Sequence, residues 1–158
     1  MRVIIATLLS FSLLFTTVIS PQLAHAQGPV LLTASFSSHT NDEDKDHDTG
    51  IYVDVMSQDG SSKLAHADNR DNSGDDGTQY KDGSDHSFAL DVDSAGLAKD
   101  SAKGFKGTVC IHTHGNDTWR FRGNITLHFS DSSNITANID NTELKNDGAC
   151  LTFSAPSN

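Results

Sequence analysis

The chain has 158 residues, and its 21 aspartate and glutamate residues outnumber 11 lysine and arginine residues, giving a formal net charge of −10. A charge of this sign disfavours binding to nucleic acid and simple adsorption to anionic membranes. The length suits one domain with a real core.

Residues 1–26 resemble a signal peptide. Arg2 precedes an apolar run from Val3 to Phe15, and Ala24-His25-Ala26 fits the small-x-small cleavage pattern. The apolar run is too short for a stable membrane span, so we expect no transmembrane anchor. The sequence therefore predicts an exported single domain at residues 27–158, secreted to the cell exterior, or periplasmic in a Gram-negative bacterium.

Apolar residues alternate with polar ones throughout the mature region, and no stretch has a convincing helical period. This pattern predicts eight strands, of which the sixth, running from Trp119 to Phe129, is the clearest. Its side chains expected to face the core are Trp119, Phe121, Ile125, Leu127 and Phe129. Short strands separated by Gly, Asp, Asn and Ser turns favour an all-β fold, an eight-stranded antiparallel β-sandwich. The apolar positions expected to face the core begin with Leu32, Ala34 and Phe36, then Ile51, Val53 and Val55, and end with Ala149, Leu151 and Phe153.

Cys110 and Cys150 are the two cysteines. An even count in an exported chain predicts a disulfide. Both residues fall on the outward face of their strands, so the pairing agrees with the predicted register. The alternative is two free thiols or a metal-binding pair.

The segment 41–50 carries five carboxylates within seven residues, with aspartates at every second position. Carboxylates packed this closely repel one another, and hard oxygen ligands at this density favour calcium. The run is not an EF-hand, because the glycine and the final acid of that loop are absent. A second acidic loop, at residues 68–77, offers further oxygen ligands. The alternative is that both loops are solvated and only keep the protein soluble.

The order of the strands locates these charges. If consecutive strands are antiparallel, loops 39–49, 68–85, 113–118 and 141–147 all lie at one end of the fold. Those loops hold 14 of the 21 acidic residues. We therefore predict a composite calcium site at this end. The metal ligands that we expect are Asp42, Asp44, Asp46, Asp48, Asp71, Asp75 and Asp117.

Catalytic signatures are weak in this chain. No nucleophile elbow, phosphate loop or paired-carboxylate motif stands out. His112, His114 and His128 permit a zinc site, but no carboxylate is fixed by spacing as a base. We expect no enzymatic activity, and a secreted metal-dependent hydrolase is the enzyme alternative.

Three segments resemble the PLAT domain family (polycystin, lipoxygenase, alpha-toxin), a family of eight-stranded β-sandwiches. They are Thr40–Val55 with its acidic loop and following strand, Gly83–Leu90, and His114–Phe121 with its polar turn and tryptophan. The resemblance implies calcium-assisted, non-catalytic docking to a lipid or a protein. The loops at the acidic end lack the exposed apolar tips that would insert into a bilayer.

These observations predict a secreted, monomeric, non-enzymatic module that binds calcium at its acidic end and docks to a protein or lipid partner. A small-ligand or glycan-binding module is the alternative. The contacts that we expect for that alternative are Tyr52, Tyr80, Arg120 and Arg122.

Overall fold

A computed structural model describes residues 28–70 and 79–157. The predicted signal peptide and two predicted metal ligands, Asp71 and Asp75, lie outside these residues. The described chain forms eight strands and one short helix. The strands are β1 (Leu31–Glu43), β2 (Gly50–Met56), β3 (Lys63–Arg70), β4 (Asp85–Val92), β5 (Lys106–His112), β6 (Thr118–Phe129), β7 (Asn134–Lys145) and β8 (Cys150–Ser154), and the helix is α1 (Lys99–Ala102).

All eight strands pair antiparallel in a single sheet of order β7-β6-β1-β4-β3-β2-β5-β8. The β3–β4 link consists of two residue pairs, whereas β1 and β6 pair along almost their whole length. The outermost strands, β7 and β8, contact one another, so the sheet curls almost into a barrel. The prediction of eight antiparallel strands is confirmed, but they form one continuous curled sheet instead of two separate sheets.

The core is built from the inward positions of these strands. Trp119, Phe121, Ile125 and Leu127 of β6 have no exposed surface, which confirms the phase predicted for this strand. Leu32 was predicted to face the core, and this is wrong, because its side chain is 55% exposed. The register of β1 against β6 shifts between Leu31 and Thr33, and this irregularity buries Leu31 in its place.

The predicted disulfide between Cys110 and Cys150 is present. The two residues are direct partners in the register of β5 and β8, with their Cα atoms 4.1 Å apart. The flanking Val109 and Ile111 are fully buried. The outward orientation predicted for both cysteines is therefore correct, and the bridge fastens the edge strand β8 to the sheet.

Helical structure is almost absent from the described residues. The connection between β4 and β5 holds the one helix of the described residues, α1, which is four residues long. Within residues 28–70 and 79–157 there is no helix with the length and apolar character needed to cross a membrane.

Candidate functional site

The connections that carry most of the acidic residues meet at one end of the sheet, which we call the acidic end. Asp46 lies between β1 and β2, and Asp117 lies between β5 and β6. The backbone amide of Asp46 donates a hydrogen bond to Asp117 Oδ2 at 3.2 Å. The amide of Asn146, after β7, donates to the Asp117 carbonyl at 2.9 Å. Lys45 and Tyr80 exchange two backbone hydrogen bonds, which brings the segment before β4 to the same place. Residues of loops 39–49, 113–118 and 141–147 thus meet at one end, as predicted, together with Tyr80 from the connection before β4.

Asp117 is the residue that ties these connections together. Its carboxylate accepts hydrogen bonds from Thr49 Oγ1 at 2.5 Å and from the amide of Thr118 at 2.8 Å, in addition to the Asp46 amide. The side chain is 8% exposed. A buried carboxylate is stable only when it is well hydrogen-bonded, and these three donors meet that need.

A small cavity of about 60 Å³ opens beside Asp117. Its walls come from the acidic loop of residues 44–49 and from the turn of residues 113–117. The lining residues are Asp46, Asp48, Thr113, His114, Gly115, Asn116 and Asp117. Three aspartates and an asparagine therefore line a space large enough for an ion or a water molecule.

The charge around this cavity is not fully compensated. Partial desolvation raises the pKa of Asp46, and the neighbouring carboxylates of Asp117, Asp44 and Asp48 raise it further. His47 opposes the shift more weakly. A raised carboxyl pKa means that ionised Asp46 is less favourable in the folded chain than in water. A bound cation would reverse this cost.

Two of the predicted metal ligands have other partners. Asp42 accepts from Arg120 Nη1 at 2.7 Å, and the other guanidinium nitrogen of Arg120 donates to Glu143 at 2.5 Å. Both carboxylates raise the pKa of Arg120, and Glu143 has the larger effect. Asp44 accepts from Gln79 Nε2 at 2.6 Å. The structure thus groups Asp46, Asp48 and Asp117 around the cavity and separates Asp42 from them.

Lys45 supplies a cation that the sequence reasoning missed. Its side chain is fully buried, and its ammonium group donates to the carbonyls of Asp46 at 2.9 Å and Thr49 at 2.8 Å. The nitrogen also lies 4.7 Å from the centre of the Tyr80 ring. Alternation within the run could not reveal this, because Glu43 and His47 at the neighbouring odd positions are exposed and the register of β1 against β6 shifts between Thr40 and Glu43. Part of the repulsion expected at residues 41–50 is therefore balanced within the protein.

Aromatic side chains of the core pack next to the acidic end. Trp119 stacks on Phe121 with centroids 3.9 Å apart, and Tyr80 packs edge-on against Trp119 at 5.7 Å. The indole Nε1 of Trp119 donates to Thr40 Oγ1 at 3.0 Å. Tyr80 is 1% exposed, so its proposed role as a surface contact for a glycan is wrong.

Among the residues that the structure describes, no three histidine, cysteine, aspartate or glutamate side chains converge closely enough to hold a metal ion by themselves. His112 instead lies 3.3 Å from Asp147, and His128 lies 3.4 Å from Ser35 Oγ. The three histidines considered for zinc are thus not gathered into a described site. A calcium site here would need backbone and amide oxygens beside the carboxylates.

No protein-family model matches the chain, and no curated protein matches it at a significant level.

Proposed function

We propose that this protein is an exported, non-catalytic β-module that binds calcium at its acidic end. The observation that supports this most is that Asp46, Asp48 and Asp117 line one small cavity, with the pKa of Asp46 raised by desolvation and by three neighbouring carboxylates. Asp46, whose ionised form is unfavourable in the folded chain, gains free energy when a cation enters the cavity. The folded chain already carries the free-energy cost of ionising Asp46 before calcium binds.

The ligand set that we propose is narrower than the one expected from sequence. The carboxylates of Asp46, Asp48 and Asp117 line the cavity, and Asn116 offers an amide oxygen. Calcium takes six to eight oxygen ligands, including backbone carbonyls and waters, and tolerates irregular geometry. Magnesium demands near-octahedral geometry and keeps its waters, and zinc prefers nitrogen or sulfur. Binding would draw the loop of residues 44–49 and the turn of residues 113–117 together.

A protein partner fits the surface better than a lipid bilayer does. In the described part of the chain, Leu32 is the large hydrophobic side chain that stands exposed, and it lies at the start of β1, away from the acidic loop. Insertion into a bilayer requires apolar contact area. We therefore propose that calcium at the acidic end orders the loops or bridges to an anionic group of a protein outside the cell. The Cys110–Cys150 disulfide supports export to an oxidising compartment.

The test is a calcium titration of the mature protein followed by melting temperature. Extracellular calcium modules bind with dissociation constants of roughly 0.1–1 mM, so about 10 mM calcium should stabilise the fold by about 1.4–2.7 kcal/mol. We expect a rise of several degrees in calcium and a clearly smaller rise in equimolar magnesium. An equal rise in both ions would mean general charge screening and would overturn the proposal.

Variants locate the site. Asp46→Asn and Asp48→Asn should each remove most of the calcium-dependent rise. Asp140→Asn makes the same charge change at an exposed position of β7 and should retain the rise. If the rise persists in both cavity variants, calcium binds elsewhere and the assignment to these residues is wrong.

A further inference from the structure

A separate groove of about 540 Å³ lies on the outer face of β4, β1, β6 and β7. The register aligns polar residues across these four strands. Ser87 pairs with Ser37, Ser37 with Asn124, and Asn124 with Asn138. With strands about 4.8 Å apart, this row of hydroxyl and amide groups spans about 14 Å. All four residues line the groove.

A second row lies two residues further along β1 and carries charge. Asp85 pairs with His39, and His39 pairs with Arg122. The imidazole Nδ1 of His39 lies 2.8 Å from Asp85 Oδ1, so these two side chains are engaged with each other. Arg122 is the remaining charged group of this row, and it also lines the groove.

Arg122 differs from the neighbouring outward arginine of the same strand. Arg120 is held by two carboxylates, Asp42 and Glu143. Arg122 has no carboxylate oxygen within 4.0 Å anywhere in residues 28–70 and 79–157, and its polar contact there is a long 3.4 Å hydrogen bond to Asn41 Oδ1. In a chain with 21 acidic residues, a guanidinium left without such a partner beside a row of hydroxyl and amide groups is well placed to receive a carboxylate from outside.

The backbones of β1 and β6 approach each other closely at the floor of the groove. Gly123 lies between Arg122 and Asn124, and a Cβ atom built there would be 2.3 Å from the carbonyl oxygen of Ser37. The β6–β7 register shifts between Phe121 and Gly123. The close approach of β1 and β6 therefore depends on glycine at this position, and it fixes the spacing between Arg122 and the polar row.

We propose that this groove binds a hydroxylated carboxylate of the uronic-acid class. Arg122 takes the carboxylate through paired N–H donors, and Ser37, Asn124 and Asn138 bind the ring hydroxyls. Amides and hydroxyls both donate and accept, which suits a sugar hydroxyl that does the same. The acid is either a free sugar acid or a uronate unit within a polysaccharide, since both present the same chemical groups.

The net negative charge of the protein does not prevent a uronate from binding in the groove. At physiological ionic strength the Debye length is about 8 Å, so carboxylates beyond that distance are largely screened. The local groups decide the affinity, and within the groove Asp85 is engaged by His39.

The experiment is an amide chemical-shift titration of the mature chain with glucuronate, galacturonate and tri-galacturonate, with glucose as the neutral matched ligand. Production in a bacterial host keeps Asn124, which lies in an Asn-Ile-Thr sequon, free of glycan. We expect saturable shifts at groove residues of β1, β4 and β6 with the uronates, and at least tenfold weaker binding of glucose. Tighter binding of the trimer would identify a polysaccharide as the source, and equal binding would identify the free acid.

Arg122→Gln keeps a polar side chain but removes the charge, and it should weaken uronate binding by about tenfold or more. Lys145→Gln removes a positive charge from an exposed position of the neighbouring strand β7, outside the groove, and should leave the binding within about twofold. Asn138→Ala, at an exposed edge position, should weaken binding several-fold without disturbing the fold. The proposal is overturned if uronates cause no saturable shifts, if glucose binds as well as glucuronate, or if Arg122→Gln binds normally while its spectrum remains that of the folded protein.

Discussion

The backbone amide of Asp46 donates a 3.2 Å hydrogen bond to the carboxylate of Asp117, 71 positions further along the chain. This contact joins the acidic loop after β1 to the turn before β6. It brings two carboxylate-bearing residues together at the entrance of a cavity of about 60 Å³. Asp117 is satisfied by three donors, whereas Asp46 is left with a raised pKa. The acidic end thus combines one structural carboxylate with one that favours a cation.

Asp46→Asn should stabilise the protein when calcium is absent. The pKa of Asp46 is raised in the folded state, so the folded chain binds a proton at this site more tightly than the unfolded chain does. Stability linked to this group is therefore present at acidic pH and lost as pH rises through the folded pKa. At neutral pH the uncharged side chain of Asp46→Asn avoids the stability that Asp46 loses on ionisation. Because the Asp46 side chain is exposed, the gain is small and is best measured as a rise in urea midpoint with a chelator present. A lower midpoint would contradict the account of an unfavourable charge.

Lys45→Met should destabilise the fold. The ammonium group is fully buried and donates two hydrogen bonds to backbone carbonyls of the acidic loop. Hydrogen bonds that involve a charged group contribute about 1.5–3 kcal/mol, so a loss of about 2–3 kcal/mol is expected from urea unfolding. Lys145→Met, at an exposed position of β7, is the matched control and should change stability by less than about 0.5 kcal/mol. Similar losses in both variants would show that Lys45 does not organise the loop.

Thr40→Val and Ser38→Ala should have opposite consequences although both positions face inward on β1. Thr40 Oγ1 accepts the indole hydrogen bond of Trp119, and the replacement leaves a buried N–H without an acceptor, at a cost of about 1–3 kcal/mol. Ser38 Oγ is buried without a hydrogen-bond partner among the described residues, so its removal should be neutral or stabilising. Chemical unfolding of both variants tests the pair. A large loss in Ser38→Ala would reveal a partner for that hydroxyl.

His66 should make stability depend on pH near neutrality. Its hydrogen bond to Asp93, at 2.8 Å, raises its pKa above the ordinary 6.5. A raised histidine pKa contributes stability that is fully present below about pH 6.5 and is lost as pH rises through the folded value. An NMR titration of the imidazole should show the raised pKa in the native protein, and Asp93→Asn should lower it. An identical titration in that variant would contradict the assignment of Asp93 as the cause.

The sequence predicted the strands well because period-two alternation is a local signal. The burial of Trp119 followed from its phase with Phe121, and the convergence of Asp46 and Asp117 followed from strand order alone. Leu32 was misplaced because a register shift depends on the partner strand, and alternation within one strand does not reveal it. The pairing of Asp42 with Arg120 was missed for the same reason, since cross-strand neighbours follow from the register of β1 against β6. Curling of the sheet into nearly a barrel likewise depends on contacts between β7 and β8, the two ends of the sheet order. Alternation within one strand does not reveal that order.

The most direct measurement is an amide chemical-shift titration of the mature protein with calcium, read at the loop of residues 44–49 and the turn of residues 113–117. The account predicts saturable shifts concentrated at Asp46, Asp48 and Asp117, with a dissociation constant in the millimolar range or below. The same shifts should vanish in Asp48→Asn and persist in Asp140→Asn. Saturable shifts elsewhere with none at these loops, or no saturable shifts at all, would contradict the claim that this end of the fold binds calcium.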